Sequence, residues 1–405
     1  MASPRILVFV APFPMETTLR FARAAASLTQ VRCVGVFQGA PTPGLFQHIE
    51  LCSDVMNPDV LTPAILRATG GVRPDRIIGV LEQLQGPLAE ARARLGVDGT
   101  DPQTAERFRD KALMKDMLRE HGLPCARHAR VNSDQAARDF VAKNGYPVVI
   151  KPLDGAGCKA TYRIQDPAQL ERALAELRPS ASRRLIIEEF LVGDEFSFET
   201  ITLGGEPRFH SIGRYLPTPL EAVENPHLQW VCMLPRHIDG DDFAPAREVG
   251  LRAVRALGLK DGFSHMEWFR RRDGSVAIGE IAQRPPGAQI VRLMSFVYDV
   301  DMYRVWARAV VDGTFDGPWE RKYSAGCAFL RGAGHGRVTA VEGLDAAQAK
   351  MGAHVVEVNL PKVGAPRSDS YEGDGFVIVR HPDTRVVMDA LHQLISTVRV
   401  HYDGR

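Results

Sequence analysis

Glu267 and Glu280 are the side chains whose spacing most directly suggests chemistry. They stand in the segment GFSHMEWFRRRDGSVAIGEIAQRPPG, residues 262–287, where an HMEW run, an Asp273-Gly274 reversal and a short strand over Ser275–Gly279 predict a β-hairpin. Such a hairpin sets one carboxylate from each arm on the same side. Two acids so placed suit Mg²⁺, a hard cation that takes oxygen ligands and shares one or two carboxylates with substrate phosphates. Mn²⁺ accepts the same donors. An antiparallel pair with one solvated face also carries acids, so the hairpin alone leaves both readings open.

A second constellation lies in YPVVIKPLDGAGCKAT, residues 146–161. Val148–Ile150 reads as a buried strand ending at Lys151, and Asp154, Gly155, Ala156 and Gly157 form a loop whose backbone N–H groups can close around an anion. The Walker pattern needs its lysine after the last glycine, and the Rossmann fingerprint needs a helix directly after the turn. Here the loop returns to a strand-like run, Ala160–Ile164, as a lid over phosphates or as a plain glycine hairpin. Cys158 within it reads as a small filler whose oxidation would block the loop. A third segment, LIIEEFLVGDEFSFE, runs as a strand into Glu188, Glu189, Phe190 and Leu191, breaks at Gly193 and resumes after Glu195. A bent linker of this kind offers main-chain groups to the edge of a flat base, and a nearby carboxylate can accept hydrogen bonds from ribose hydroxyls. A β-bulge with solvated acids has the same sequence.

The order DKALMK, VVIKPLDGAG, IIEEFLVGDEFS, HMEWF and GEIAQRPPG resembles the ATP-grasp superfamily of carboxylate–amine ligases over residues 101–316. The GEIAQRPPG form and the C-terminal segment resemble most the L-amino-acid ligases of the bacilysin-synthetase type. The resemblance implies ATP and Mg²⁺ or Mn²⁺ as cofactors, with Lys111 and Lys151 on the phosphates beneath the glycine loop. It implies Glu188 and Leu191 at the adenine, largely through main-chain groups, Glu195 on the ribose, and Glu267 and Glu280 on magnesium. Arg284 matches the arginine aimed at the transferred phosphoryl or acyl group, so Arg284 and Lys151 are the expected catalytic residues. His265, two residues before Glu267, faces the same side of its strand and is a phosphate contact or a core histidine. Glu82, Glu224, His227 and Gly287 join Arg284 as candidate substrate residues. Many family members have Asn two residues after the second glutamate, where this chain has Ala282, which cannot ligate a second metal. Gln283 alternates to the opposite face.

These residues need a scaffold. ILVFVAPF, an alanine-rich helix over Thr17–Leu28 and strands at Val31–Val36 and Arg76–Val80 give a βαβ rhythm, which predicts a small parallel Rossmann-like sheet over residues 1–100. The segment lacks GxGxxG, and its loops near Phe13–Thr17 and Glu82 are expected to serve the substrate side, beyond the strand carboxyl ends. An ATP-grasp domain follows over 101–318, with a helix Ala105–His121 carrying Lys111, a helix Gln135–Asn144, an irregular Pro-containing segment Ser211–Ile238 and a helix Asp299–Val311. A small C-terminal α+β domain occupies 319–405, with strands at Gly326–Leu330, His354–Val358 and Phe376–Val379 and a helix Thr384–Val398. Units like it close over the active site in related ligases. The fold class is thus α/β and α+β.

At 405 residues with a net charge of +1, the chain supports two or three domains and offers no charged field for nucleic acid or membrane. Its six cysteines include no CxxC, which argues against a zinc site or a disulfide framework. No apolar run reaches the length of a membrane span. The expectation is a cytoplasmic enzyme, a homodimer by resemblance, that joins a small carboxylate to an amine through an acyl phosphate. Carboxyphosphate or formyl-phosphate chemistry shares the nucleotide site, and an ATP-binding regulator without chemistry is the third alternative, for which Ala282 speaks.

Overall fold

The computed structural model describes residues 3–41, 43–155 and 160–404. Ala156 and Gly157 of the expected phosphate loop, with Cys158 and Lys159 after them, lie outside the described residues.

The N-terminal segment forms β1 (Arg5–Ala11), β2 (Val31–Phe37), β3 (His48–Leu51) and β4 (Arg76–Ile78), a parallel sheet of order β3-β2-β1-β4. Helices Glu16–Ala26 and Pro58–Thr69 connect β1 to β2 and β3 to β4, and helix Gln85–Leu95 follows β4. Both faces of the sheet are covered. Leu7, Phe9 and Ala11 of β1 join one core and Val8 and Val10 another, as the two-residue repeat of a strand requires. The first core is shared with the rest of the molecule: Phe21 meets Tyr303 and Trp306 edge-on at 4.8 and 5.0 Å.

The helix expected over Ala105–His121 is two helices, Pro102–Arg109 and Lys111–Glu120. Asp110 breaks it. That residue is extended (φ −80°, ψ 102°), and its carboxylate accepts from the N–H groups of Ala112 and Leu113, an N-cap that competes with helix continuation. The break puts Lys111 at the start of a helix instead of its middle.

A four-stranded antiparallel sheet follows, β5 (His128–Val131), β6 (Val148–Pro152), β7 (Tyr162–Ile164) and β8 (Leu185–Glu189), in the order β5-β8-β6-β7. Helices Asp134–Asn144 and Pro167–Leu177 supply the rest of its core. The remaining chain builds β9 (Gly193–Leu203), β10 (Glu206–Leu216), β11 (Trp230–Leu234), β12 (Gly262–Arg271), β13 (Val276–Ala282), β14 (Ser324–Leu330), β15 (His335–Glu342), β16 (Val355–Asn359), β17 (Gly375–His381) and β18 (Arg399–Gly404). Eight of these form one sheet, β13-β12-β9-β10-β11-β14-β17-β16, while β15 and β18 pair separately.

The segment Ser211–Ile238, expected to be irregular, contains the end of β10, a short helix Pro219–Glu224 and β11. All five residues of β11, WVCML, are buried, the continuous apolar run of a strand inside a sheet. The helical run near Asp299 is also corrected. Asp299 is the left-handed C-cap of helix Ile290–Tyr298, and a new helix starts at Met302, capped by Asp301. The large sheet crosses residue 318, because β14 pairs with β11 on one side and β17 on the other. No helix among the described residues is long and apolar enough to cross a membrane.

Candidate active site

The hairpin sets the two acids opposite each other: Glu267 of β12 pairs directly with Glu280 of β13. Gly274, at φ +83°, makes the reversal, and Asp273 Oδ1 accepts from Ser275 N–H at 2.9 Å. The register shifts after Glu267, a bulge that ends strict alternation at the acid. Glu280 lies inside β13 instead of following it. His265 shares their face. Its Nε2 lies 3.8 Å from Glu267 Oε1, and its Nδ1 lies 3.0 Å from Glu199 Oε1. Burial disfavours the imidazolium, but the bonds to Glu199 and Glu267 outweigh it and raise the histidine's pKa. Ala282 sits opposite His265, buried and without a ligating atom. Gln283 faces away, as alternation requires, into a different cavity.

Lysines converge on Glu280 from two elements. Lys111 Nζ is 2.8 Å from Glu280 Oε1 and donates to the Gly155 carbonyl at 2.7 Å. Lys151, at the end of β6, lies 2.7 Å from Glu188 Oε1 and 3.6 Å from Glu280 Oε2. Burial works against the Lys151 charge, yet Glu188 and Glu280 raise its pKa above the ordinary lysine value. Burial would likewise raise Glu280, but Lys111 and Lys151 pull it down to about 2. Lys115, which the sequence reading passed over, is the hidden partner. It is 0% exposed, lies 3.2 Å from Glu188 Oε2 and donates to the Gly279 carbonyl. Its signal was present in the sequence: Lys111, Lys115 and Leu118 share one buried stripe, and a lysine is rarely fully buried unless paired.

The linker behaves differently from its expected role. The main chain of Glu188 is paired within β8, flanked by β5 and β6, so its backbone is not offered to a base; its side chain instead holds Lys151 and Lys115. Glu189 is held by Arg127 and Arg271 at 2.8 and 3.2 Å. Phe190 lies under the Arg163 guanidinium, 4.3 Å from its ring centre. Leu191 packs with Ala126, Ala277 and Phe269. Glu195 is buried, and desolvation together with Glu267 and Glu280 raises its pKa well above the usual carboxylate value.

Glu82 is the N-terminal domain's contribution. It is buried between Arg109 Nη1 at 2.8 Å and Arg284 Nε at 3.2 Å. Arg109 also donates to the Asp154 carbonyl at 2.6 Å, while the Asp154 side chain is exposed. Glu82 and Arg284 line one cavity of about 360 Å³, whose walls run from Phe190 and Leu191 past Lys151, Glu280 and Glu267 to Arg284 and Gly287. Glu224, Tyr215 and Tyr371 belong to the same walls. Two expected contributors do not: Phe13–Thr17 is absent from these walls, and His227, exposed beyond the helix Pro219–Glu224, faces another depression beside Arg331 and His392. Tyr371, from the C-terminal segment, stands edge-on to Trp230 at 5.0 Å, and Tyr215 stacks on the same indole at 5.8 Å. Among the described residues no group of three or more His, Cys, Asp or Glu is arranged as a metal cage.

Residues 116–292 match the ATP-grasp domain family. The L-arginine-specific L-amino acid ligase of Bacillus subtilis is 25% identical over 262 residues, 63% of this chain and 62% of that protein, so the match leaves over a third of the relative unaligned. A formate-dependent phosphoribosylglycinamide formyltransferase of Bacteroides fragilis is 24% identical over 301 residues, 73% of this chain and 74% of that one. Among solved structures, an L-amino acid ligase from Bacillus licheniformis superposes with a TM-score of 0.81 at 18% identity, covering 100% of both chains. The biotin carboxylase domain of the Hydrogenobacter thermophilus 2-oxoglutarate carboxylase gives 0.72 at 16%, over 98% of this chain and 90% of that one. Residues 116–292 thus match an ATP-grasp domain, and the chain, with its N-terminal α/β and smaller C-terminal α+β domains, has the ATP-grasp fold and is similar to L-amino-acid ligases.

Proposed function

We propose that the chain is an ATP-dependent carboxylate–amine ligase that forms an amide or peptide bond through an acyl phosphate. The observation that carries this reading is the convergence of Lys111, Lys151, Glu280, Glu267 and Arg284 on one cavity. Lys111 and Lys151, held by Glu280 and Glu188, take the triphosphate oxygens, while Phe190 and Leu191 flank the base and Glu195 takes the ribose. Glu267 and Glu280 fit Mg²⁺: they are neighbouring carboxylates with hard oxygen donors, and they would hold the ion beside the phosphates. The bound ion would neutralise phosphate charge during transfer.

In the first step a substrate carboxylate oxygen attacks the γ-phosphorus and the bond to the β-phosphate oxygen breaks, releasing ADP. Catalysis here is positioning and charge neutralisation, supplied by Lys151 and Arg284. In the second step a neutral amine attacks the acyl carbon, the carbon–oxygen bond to phosphate breaks, and the amine's proton leaves on the phosphate. Glu82, pinned between Arg109 and Arg284, fixes the Arg284 guanidinium where an oxyanion would form. Tyr215, Tyr371 and Gly287 extend the walls beyond Arg284, more room than bicarbonate or formate needs, which favours an amino-acid-sized donor over the carboxylase and formyl-phosphate alternatives. The test is phosphate release across paired amino acids and small carboxylates, with mass detection of the product. Release that needs an amino acid and yields a new amide supports the reading; release with bicarbonate or formate alone refutes it.

A further inference from the structure

A second cavity, of about 230 Å³, lies between the N-terminal domain and the roots of β12 and β13. Two buried side chains in its walls carry polar atoms with no hydrogen-bond partner among the described residues. Gln283 is 6% exposed, and neither its amide nitrogen nor its amide oxygen has a hydrogen-bond partner. Arg92 is 9% exposed; its Nε and Nη2 donate to the Ile77 carbonyl at 2.9 and 2.8 Å, while Nη1 has no partner. Each such orphan is costly to keep buried unless something fills the gap. Among the described residues no ion pair joins Arg92 to an acid, although Asp98 and Asp261 stand in the same walls. Burial lowers its pKa to about 10, and the nearby Arg76 adds to that. A buried guanidinium without a carboxylate asks for an anion, and an amide asks for one acceptor and one donor. Phe263 and Trp306, both buried, give the cavity an apolar wall.

We propose that this cavity binds a small carboxylate with a hydrogen-bond donor on the adjacent carbon, of which an α-amino acid is the simplest. The carboxylate bridges Arg92 Nη1 and the Gln283 amide nitrogen, and the donor meets the Gln283 amide oxygen. The site is distinct from the nucleotide cavity and does not depend on the ligase reading. It touches that cavity through Arg284, which lines both.

The test uses the full-length protein without nucleotide, titrated with glycine, L-alanine, acetate or inorganic phosphate while the thermal midpoint is followed. Glycine and L-alanine are expected to raise the midpoint saturably, acetate to act more weakly, and Gln283→Leu to weaken the apparent affinity for both amino acids at least tenfold. Gln283→Glu, which puts a carboxylate in the cavity that Arg92 lines, is expected to raise the midpoint without ligand and to abolish the response. An equal response of wild type and both variants would place the amino acid elsewhere and overturn the proposal. So would phosphate acting as strongly as glycine, or crystals soaked in glycine that show only ordered water between Arg92 and Gln283.

Discussion

Replacing Lys115 with Met separates scaffold from catalysis. The side chain keeps its length and fills the same space, but Glu188 loses one of its two cations and the Gly279 carbonyl loses its donor. Removing one partner of a buried ion pair costs about 3–5 kcal/mol. Glu188 retains Lys151 at 2.7 Å, so the lower end, about 3 kcal/mol, applies. At an unfolding entropy of about 2.1 cal/mol/K per residue, a chain of 405 residues shifts by about 1 °C per kcal/mol, so the thermal midpoint falls by about 3–4 °C. Guanidinium unfolding followed by tryptophan fluorescence reads the effect directly, because Trp268, stacked 4.6 Å from Phe196, is fully buried in the same hairpin. Lys115 is not in the cavity wall, so ATP affinity should change less than tenfold. The double variant Lys115→Met/Glu188→Leu should be less destabilised than the sum of the singles by about 1 kcal/mol or more. Additive losses, or a loss under about 1 kcal/mol for Lys115→Met alone, would refute the buried pairing.

Lys151→Met should lower ATP-dependent phosphate release by about a hundredfold or more, as charged contacts to a transferring phosphoryl group do, with the fold intact by circular dichroism. Glu195→Gln should stabilise the nucleotide-free protein at neutral pH. The folded pKa is raised above 4.5, so the wild type is as stable as the variant below pH 4.5 and loses ground as pH climbs through the folded value; parallel unfolding curves across pH check this. His265→Asn should show the companion pattern for a raised histidine: its deficit against wild type is full below pH 6.5 and shrinks as pH rises through the folded pKa, measured the same way. Gly193→Ala should destabilise by about 1–3 kcal/mol in chemical unfolding, since its new carbon would lie 2.1 Å from the Arg270 carbonyl oxygen.

The sequence was most legible where one local pattern decides the geometry. The Asp273-Gly274 turn and the acids on either side of it made the Glu267/Glu280 register readable, and the βαβ rhythm gave the parallel sheet. It was least legible where partners come from distant elements. Nothing near Glu82 announces Arg109 and Arg284, and Glu188 looked like part of an adenine linker until β6 and the Lys111–Glu120 helix brought two lysines to it. The prolines around Trp230–Leu234 hid a strand because local composition favoured a loop, whereas its two faces are buried by distant cores, Trp230, Cys232 and Leu234 in one and Val231 and Met233 in the other. Asp110 misled in the opposite way, since a polar residue within a helical pattern reads as surface until its capping bonds are seen.

The large sheet that crosses residue 318 also constrains how the protein is made. Strand β11 leaves the ribosome well before β14 and β17 exist, so each nascent molecule passes through a stage in which Trp230, Val231 and Met233 sit on an unfinished edge. A chain stopped short of β14 keeps that edge permanently. Slow translation or early truncation should therefore feed aggregation or chaperone capture, and recombinant yield should depend on how quickly the last eighty or so residues follow.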